Sequence, residues 1–164
     1  MKIREIKTSD VGEFTRLIQE VERSAQYMLW ESGERDIQPD KQLKMIESIR
    51  SKENSTVFVA EENQLVGYLL VIGGNARRNK HSAYIVIGIL EDYRGKGVGT
   101  LLFKELEQWS LNHNMHRIEL TVVTSNEAGI SLYKKMGFEI EGRKRDSLFI
   151  NGEYVDEYYM SKLL

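Results

Sequence analysis

The sequence predicts an α/β (α+β) domain in which a mixed sheet carries helices on both faces. Three observations predict it: β-branched and aromatic runs of strand length, apolar stripes at helical spacing between them, and turn or cap residues at the joins. With 164 residues, 41% of them hydrophobic, the chain holds enough apolar material for one domain with a real core and too little for two. Residues 1–164 are therefore expected to form one domain.

"KIREI" reads as a short strand, after which Thr8, Ser9 and Asp10 offer N-cap oxygens to a helix with Val11, Phe14, Leu17, Ile18 and Val21 on one face. Past the irregular "YMLWESGERDIQ", Pro39 suits a first helical position, and Leu43, Ile46 and Ile49 form a second apolar face. "STVFVA", "QLVGYLLVI" and "SAYIVIGIL" are separated by "EEN" and "GGNARRNKH" and read as a three-strand meander. The glycine-rich "EDYRGKGVGT" follows, then a helix carrying Val98, Leu101, Leu102, Leu106 and Trp109 at helical spacing. The strand "HRIELTVV", a short helix from about Asn126 to Met136 stopped by Gly137, and the strand "GFEIEG" come next. The tail "DSLFINGEYVDEYYMSKLL" is a hairpin about Asn151-Gly152, a type I′ turn pair.

Composition removes several function classes. Lys and Arg number 23 against 25 Asp and Glu, so a net charge of -2 supplies no field that would gather nucleic acid or an anionic membrane. The basic "ARRNKH" segment lacks aromatic interleaving and reads as a solvated hairpin loop. Without cysteine, and with three scattered histidines, neither disulfides, thiolate chemistry nor a metal site is expected. "MKIREIKTSD" has no apolar core for export and no window reaches the roughly 20 apolar residues that span a bilayer. The expectation is a soluble cytoplasmic protein.

The loop at 91–100 is the informative stretch. A nucleotide P-loop needs Gly-Lys followed by Ser or Thr, whereas Gly95-Lys96 is followed by Gly97; a dinucleotide fingerprint needs G-x-G-x-x-G, whereas Gly95, Gly97 and Gly99 alternate. What remains is the physics those motifs share. Small residues allow close backbone approach, and free N–H groups at a strand-to-helix turn point at an anion such as a diphosphate. Three alternate glycines alone are equally compatible with a plain turn.

"YRGKGVGTLL" resembles the Arg/Gln-x-x-Gly-x-Gly/Ala pyrophosphate loop of the GCN5-related N-acetyltransferases, with Arg94, Gly97 and Gly99 on the motif positions. "VVTSNEAGISLYKKMGFEIEG" resembles the family's later block, in which an Asn opens a helix and a Leu-Tyr pair precedes Gly-Phe. The likeness covers roughly residues 55–162 well and the first fifty only by element order. It implies the GNAT fold, a mostly antiparallel twisted sheet of about seven strands, and acetyl-CoA as cosubstrate with CoA as product.

The resemblance also implies site roles. The loop amides of Arg94, Gly95, Lys96, Gly97, Val98, Gly99 and Thr100 would cradle the diphosphate, Arg94 and Lys96 adding charge at its rim, and a Cβ at Gly97 or Gly99 should interfere. Ile89 and Leu90 would offer backbone to the pantetheine arm where two parallel strands splay. Asn126 would bond that arm and Tyr133 would protonate the departing thiolate. The two are seven residues apart, hence on one helix face and about 10 Å apart along the axis. Asn126 also suits an N-cap and Tyr133 also suits core packing.

The general base is not evident, because Tyr84 stands near the place where many relatives carry a glutamate. Candidates are Glu31, with Glu34, in "WESGER" and Asp156 in the final strand; a water chain ending in backbone carbonyls is an equal alternative. The final third looks particularly like amino-acid N-acyltransferases and ribosomal-protein N-terminal acetyltransferases, both of which acetylate α-amines. Arg35 is a candidate clamp for a substrate carboxylate, while the acids Glu31 and Asp156 suit a cationic amine. The expectation is transfer of acetyl from acetyl-CoA, in a ternary complex, to the α-amine of an amino acid or small metabolite. Alternatives are a protein N-terminus, a polyamine, or a non-catalytic CoA-binding sensor. A small-molecule or peptide amine is the expected partner of a monomer or homodimer, with neither nucleic acid nor membrane.

Overall fold

The computed structural model describes residues 1–164, beginning with strand β1 (Lys2–Glu5), a 3-10 turn at Thr8–Asp10 and helix α1 (Val11–Ser24). The expected side-chain N-cap is absent: Asp10 is near-helical (φ -81°, ψ -5°) and turns its carboxylate back to accept from Arg4 Nη1 at 2.7 Å and from the Lys7 amide at 2.8 Å. Because Arg4 also donates to Glu61 at 2.9 Å, the three charges tie the start of α1 to the sheet edge. The helix buries Phe14, Leu17, Ile18 and Val21, the stripe its periodicity requires. Pro39 begins helix α2 (Pro39–Arg50), where its missing N–H and fixed φ cost nothing.

The meander is β2 (Thr56–Glu62), β3 (Gln64–Gly73) and β4 (Ser82–Ile89), followed by α3 (Val98–Asn112), β5 (Arg117–Val123) and α4 (Glu127–Lys135). Gly137, at φ +92°, ends that last helical run as expected. The predicted "GFEIEG" strand and the first arm of the tail hairpin are one element, β6 (Glu139–Ile150). Its register shifts at Ile140/Gly142 and Lys144/Leu148, and Asp146 sits at φ +48°. These irregularities break the period-2 pattern, which is why the sequence reads as two strands. Asn151 and Gly152, both at positive φ (50° and 81°), then turn the chain into β7 (Glu153–Leu163).

The seven strands form one sheet in the order β1-β2-β3-β4-β5-β7-β6, every pair antiparallel except β4 with β5. Phe14, Leu17, Ile46 and Ile49 from α1 and α2 pack with Val57, Val59, Leu65 and Tyr68 on one face. Leu102, Phe103, Leu106 and Tyr133 from α3 and α4 pack with Phe58, Leu69, Ile85, Ile118, Leu120 and Met160 on the other. Thus the first two helices cover only the meander half of their face. No helix is long and apolar enough to cross a membrane.

The parallel pair is what builds a site. β4 and β5 are in register only at Ser82↔Arg117, Ala83↔Ile118 and Tyr84↔Glu119; past Tyr84 they part, opening a fork toward their C-terminal ends.

Candidate active site

The fork leaves backbone without partners on one side of β4. Gly74 N–H donates to Ser82 O and Leu90 N–H to Val66 O, each at 2.9 Å, so the even-numbered residues of β4 belong to hydrogen-bonded pairs with β3. By alternation, Ile87 and Ile89 turn their N–H and C=O groups toward β5, which no longer meets them, while Ile85 closes the last rung through its N–H and keeps only its C=O open. Their side chains fill the core under α3. The expectation for Leu90 is corrected: its N–H is used by Val66 and its C=O accepts from Tyr93 N–H at 2.9 Å, so it has no free edge. Ile87, not singled out from sequence, has one. The Ile89 carbonyl is taken by Arg94 Nε at 3.1 Å, leaving that residue's N–H open.

Beyond the fork, Glu91–Tyr93 makes a 3-10 turn and the chain enters α3 through Gly95 and Gly97 at φ +71° and +84°. Only glycine adopts such angles without cost, and turns of this kind are where successive backbone amides can be left exposed to an anion. No carbonyl of the chain accepts from the amides of residues 95–100; the first that finds one is Leu101, bonded to Gly97 O at 3.1 Å. The donor row is therefore one shorter than expected, since the Arg94 amide is bound to Glu91 O at 3.1 Å. Six open donors at the positive end of a fifteen-residue helix make an anion cradle.

The two motif glycines do different jobs. A Cβ on Gly97 would meet nothing within 4 Å, so that side is open to a ligand. A Cβ on Gly99 would come within 2.7 Å of Leu132 Cδ2, so Gly99 lets α3 approach α4. Arg94 departs from its expected place at the rim: Nη2 donates to Ser24 Oγ at 2.9 Å, bracing the end of α1 against the end of β4. Lys96 lies over the Tyr93 ring, 5.5 Å from its centroid.

Asn126 caps α4, its Oδ1 accepting from the Gly129 amide at 3.0 Å. Seven residues on, Tyr133 is 9% exposed and packs edge-on to Phe103, ring centroids 5.8 Å apart. Burial, and then the charge of Tyr84, push its phenol up to about 12, so it stays protonated in any physiological range. Tyr84 reaches the fork from the other sheet face, its hydroxyl 2.9 Å from Thr121 Oγ1. The fork is thus flanked by phenols from both sides.

The acceptor-side expectations are altered by partners the sequence hides. Arg35 forms an ion pair with Glu22, a carboxylate of α1 only 3% exposed, and lies over Trp30 at 5.3 Å. It neutralises a buried charge, with Nε enclosed and unpartnered, and is not a free clamp. Tyr68, whose phenol is pushed up by burial and by Glu22, stands on the same face over Gly88, whose Cβ would lie 2.5 Å from its ring. Glu31 and Glu34 form an exposed turn in which the Glu34 carboxylate accepts from the Glu31 amide at 3.0 Å. Asp156 accepts from Arg143 Nε at 2.5 Å and from the Asp146 amide at 2.7 Å. Those donors hold its carboxyl below the usual range, the backbone one first, and its task is to fix the β6 bulge. No cluster of side chains suited to a metal is present.

The acetyltransferase (GNAT) family model matches residues 15–138, a stretch containing the fork, the donor row and Tyr133. L-amino acid N-acetyltransferase AaaT of Escherichia coli (strain K12) is 37% identical over 103 residues, 62% of this chain and 64% of that protein, so the alignment spans less than two thirds of that relative. An acetyltransferase of the GNAT family from Streptococcus pneumoniae superposes with a TM-score of 0.95, covering 99% of this chain and 98% of that one at 25% identity. The yncA acetyltransferase of Salmonella typhimurium, solved with its cofactor acetyl-CoA, superposes at 0.89 over 100% and 94% of the two chains at 20% identity. With the parted strands, the amide cradle and the α4 tyrosine all inside the matched stretch, the chain belongs to the GNAT family.

Proposed function

We propose that this protein transfers the acetyl group of acetyl-CoA to a primary amine, the α-amine of an amino acid or small metabolite, in a cytoplasmic ternary complex. The observation that carries the reading is the continuity of open backbone: the Ile85 carbonyl, both groups of Ile87 and the Ile89 N–H along the fork, then six free amides at the start of α3. A diphosphate fits the amides and an amide-bearing arm fits the strand edge, as CoA requires. The named activity of the AaaT relative supports an amino-acid acceptor.

In this reading residues 95–100 bind the diphosphate, the Ile87 and Ile89 edge aligns the pantetheine arm, and Asn126 caps the helix that carries Tyr133. The amine enters on the face of Tyr84 and attacks at the fork. Tyr133, from the opposite face, donates to the sulfur as it leaves; its burial excludes water from that contact and keeps the proton available. Arg35 and Glu31 belong to the α1–α2 connection beside the entrance and act on acceptor binding through its shape.

The test is thiol release from acetyl-CoA with amino acids, polyamines and N-terminal peptides, together with the mass of the acetylated product. Amino-acid-dependent release supports the reading. Saturable acetyl-CoA binding without release across the panel would leave a sensor, and failure to bind acetyl-CoA would overturn the whole assignment.

A further inference from the structure

Strand β7 places two adjacent carboxylates on opposite faces of the sheet. Tyr158 and Met160 pack under α3 and α4, so Asp156 shares their side, as does Lys162, which bonds Glu107 of α3 at 2.9 Å. Glu157, Tyr159 and Ser161 project the other way, toward the face that carries Tyr84 and Thr121. Over β5 and β7 this face has no helix on it, because α1 and α2 cover only the meander. Glu157 is in register with Val123, the last residue of β5, and so lies at the open end of the fork. Thr121 opposes Tyr159, which makes Glu157 its diagonal neighbour, about 7–8 Å away between Cα atoms.

The β6 bulge supports this carboxylate. Asp156 holds the bulge from one face through Arg143 and the Asp146 amide. On the other face Ser147 Oγ donates to Glu157 Oε1 at 2.9 Å, orienting a half-buried side chain and leaving its second oxygen available. The charged and titratable groups on its face are Lys144, its register partner on β6, Tyr159 two residues along β7 and, farther along, the Tyr84 phenol and the Arg117–Glu119 pair of β5, whereas Arg145 and Asp146 line the opposite side with Asp156.

We propose that Glu157 receives the acceptor ammonium and takes its proton, the task for which β4 supplies no carboxylate. This rests on the acetyltransferase reading. The step balances: the ammonium gives one proton to Glu157, which passes it to solvent, and the amine lone pair forms the C–N bond at the thioester carbonyl. As the C–S bond breaks, the nitrogen's second proton ends on sulfur through Tyr133, giving amide and thiol.

The test is Glu157→Gln, which keeps the oxygen that Ser147 donates to. Acetyl-CoA affinity should stay within about twofold of wild type, while kcat/KM for the amine should fall about tenfold or more near neutrality. The deficit should shrink as pH approaches the amine's own pKa, where free amine forms without help. Glu139→Gln, at an exposed carboxylate farther along β6, should retain the wild-type pH profile. Glu157→Ala, as a second variant, should regain turnover with added formate. Wild-type kcat/KM in Glu157→Gln at every pH, a Glu139→Gln variant as impaired as Glu157→Gln, or no formate rescue overturns the proposal. Absence of thiol release from the wild type would instead fail the acetyltransferase reading, and this proposal with it.

Discussion

The hydroxyl of Tyr84 lies 2.9 Å from Thr121 Oγ1, bridging β4 and β5 just past their last backbone pair. Where the ladder stops, a side-chain hydrogen bond takes over and sets the fork's apex. The same phenol is close enough to Tyr133 for its charge to raise that group, so the bridge also couples the two sheet faces. In Tyr84→Phe, Tyr133 should titrate below its wild-type value yet above an ordinary phenol, because burial is the larger cause. Chemical shifts of labelled tyrosine ring carbons followed with pH would check this.

Buried phenols also predict an alkaline stability limit. Tyr133 is raised from about 10 to about 12 and Tyr68 is raised as well. Below the unfolded value both states are protonated and stability is intact. Above it the unfolded chain ionises first, so stability falls as pH rises through the folded value. Denaturant midpoints should decline between about pH 10 and about pH 12, less steeply in Tyr133→Phe.

Tyr133→Phe preserves the ring and its edge contact with Phe103, so acetyl-CoA affinity and melting temperature near neutrality should change little. The fall in kcat should be about tenfold or more if the phenol is the proton donor. Steady-state thiol release under conditions where chemistry limits the rate is the measurement; wild-type kcat would show that the ring only packs.

Gly97 and Gly99 should separate ligand binding from packing. The Cβ of Gly97→Val meets no atom of the chain within 4 Å, but the residue must hold φ +84°, costing about 1–2 kcal/mol, and it puts carbon where an anion would approach. Calorimetry should find acetyl-CoA affinity strongly reduced in a folded variant. Gly99→Ala pushes on Leu132, so its loss should be chiefly in thermal stability, with affinity reduced less.

Arg35→Ala should destabilise by about 3 kcal/mol, because it strands the Glu22 carboxylate in the core. Glu22→Gln combined with Arg35→Ala should recover part of that loss, since no uncompensated charge then remains. Urea unfolding of the single and double variants measures it. A free, substrate-facing Arg35 would instead give a stability-neutral variant with altered acceptor KM only.

What the sequence determined by itself is the set of features that local chemistry decides. The stripe Phe14, Leu17, Ile18, Val21 makes α1, Pro39 starts α2, Gly137 stops α4, and Asn151-Gly152 turns the hairpin, because each depends on neighbours within a few residues. The glycine loop was legible as a strand-to-helix turn with positive φ for the same reason, while its role toward an anion came from the family resemblance and not from the three glycines alone. Tertiary structure alone decided which groups are left free. Leu90 lost its edge to Val66, Arg94 turned to Ser24, Arg35 turned to a buried Glu22, and Asp156 turned to the β6 bulge, each partner lying remote in sequence or across a strand pair. A hydrogen-bonding group is available only when no nearer partner satisfies it, and that competition is settled by packing. The same holds for the faces of β7, where a one-residue step moves a carboxylate across the sheet and the register that assigns Glu157 to the open side comes from β5.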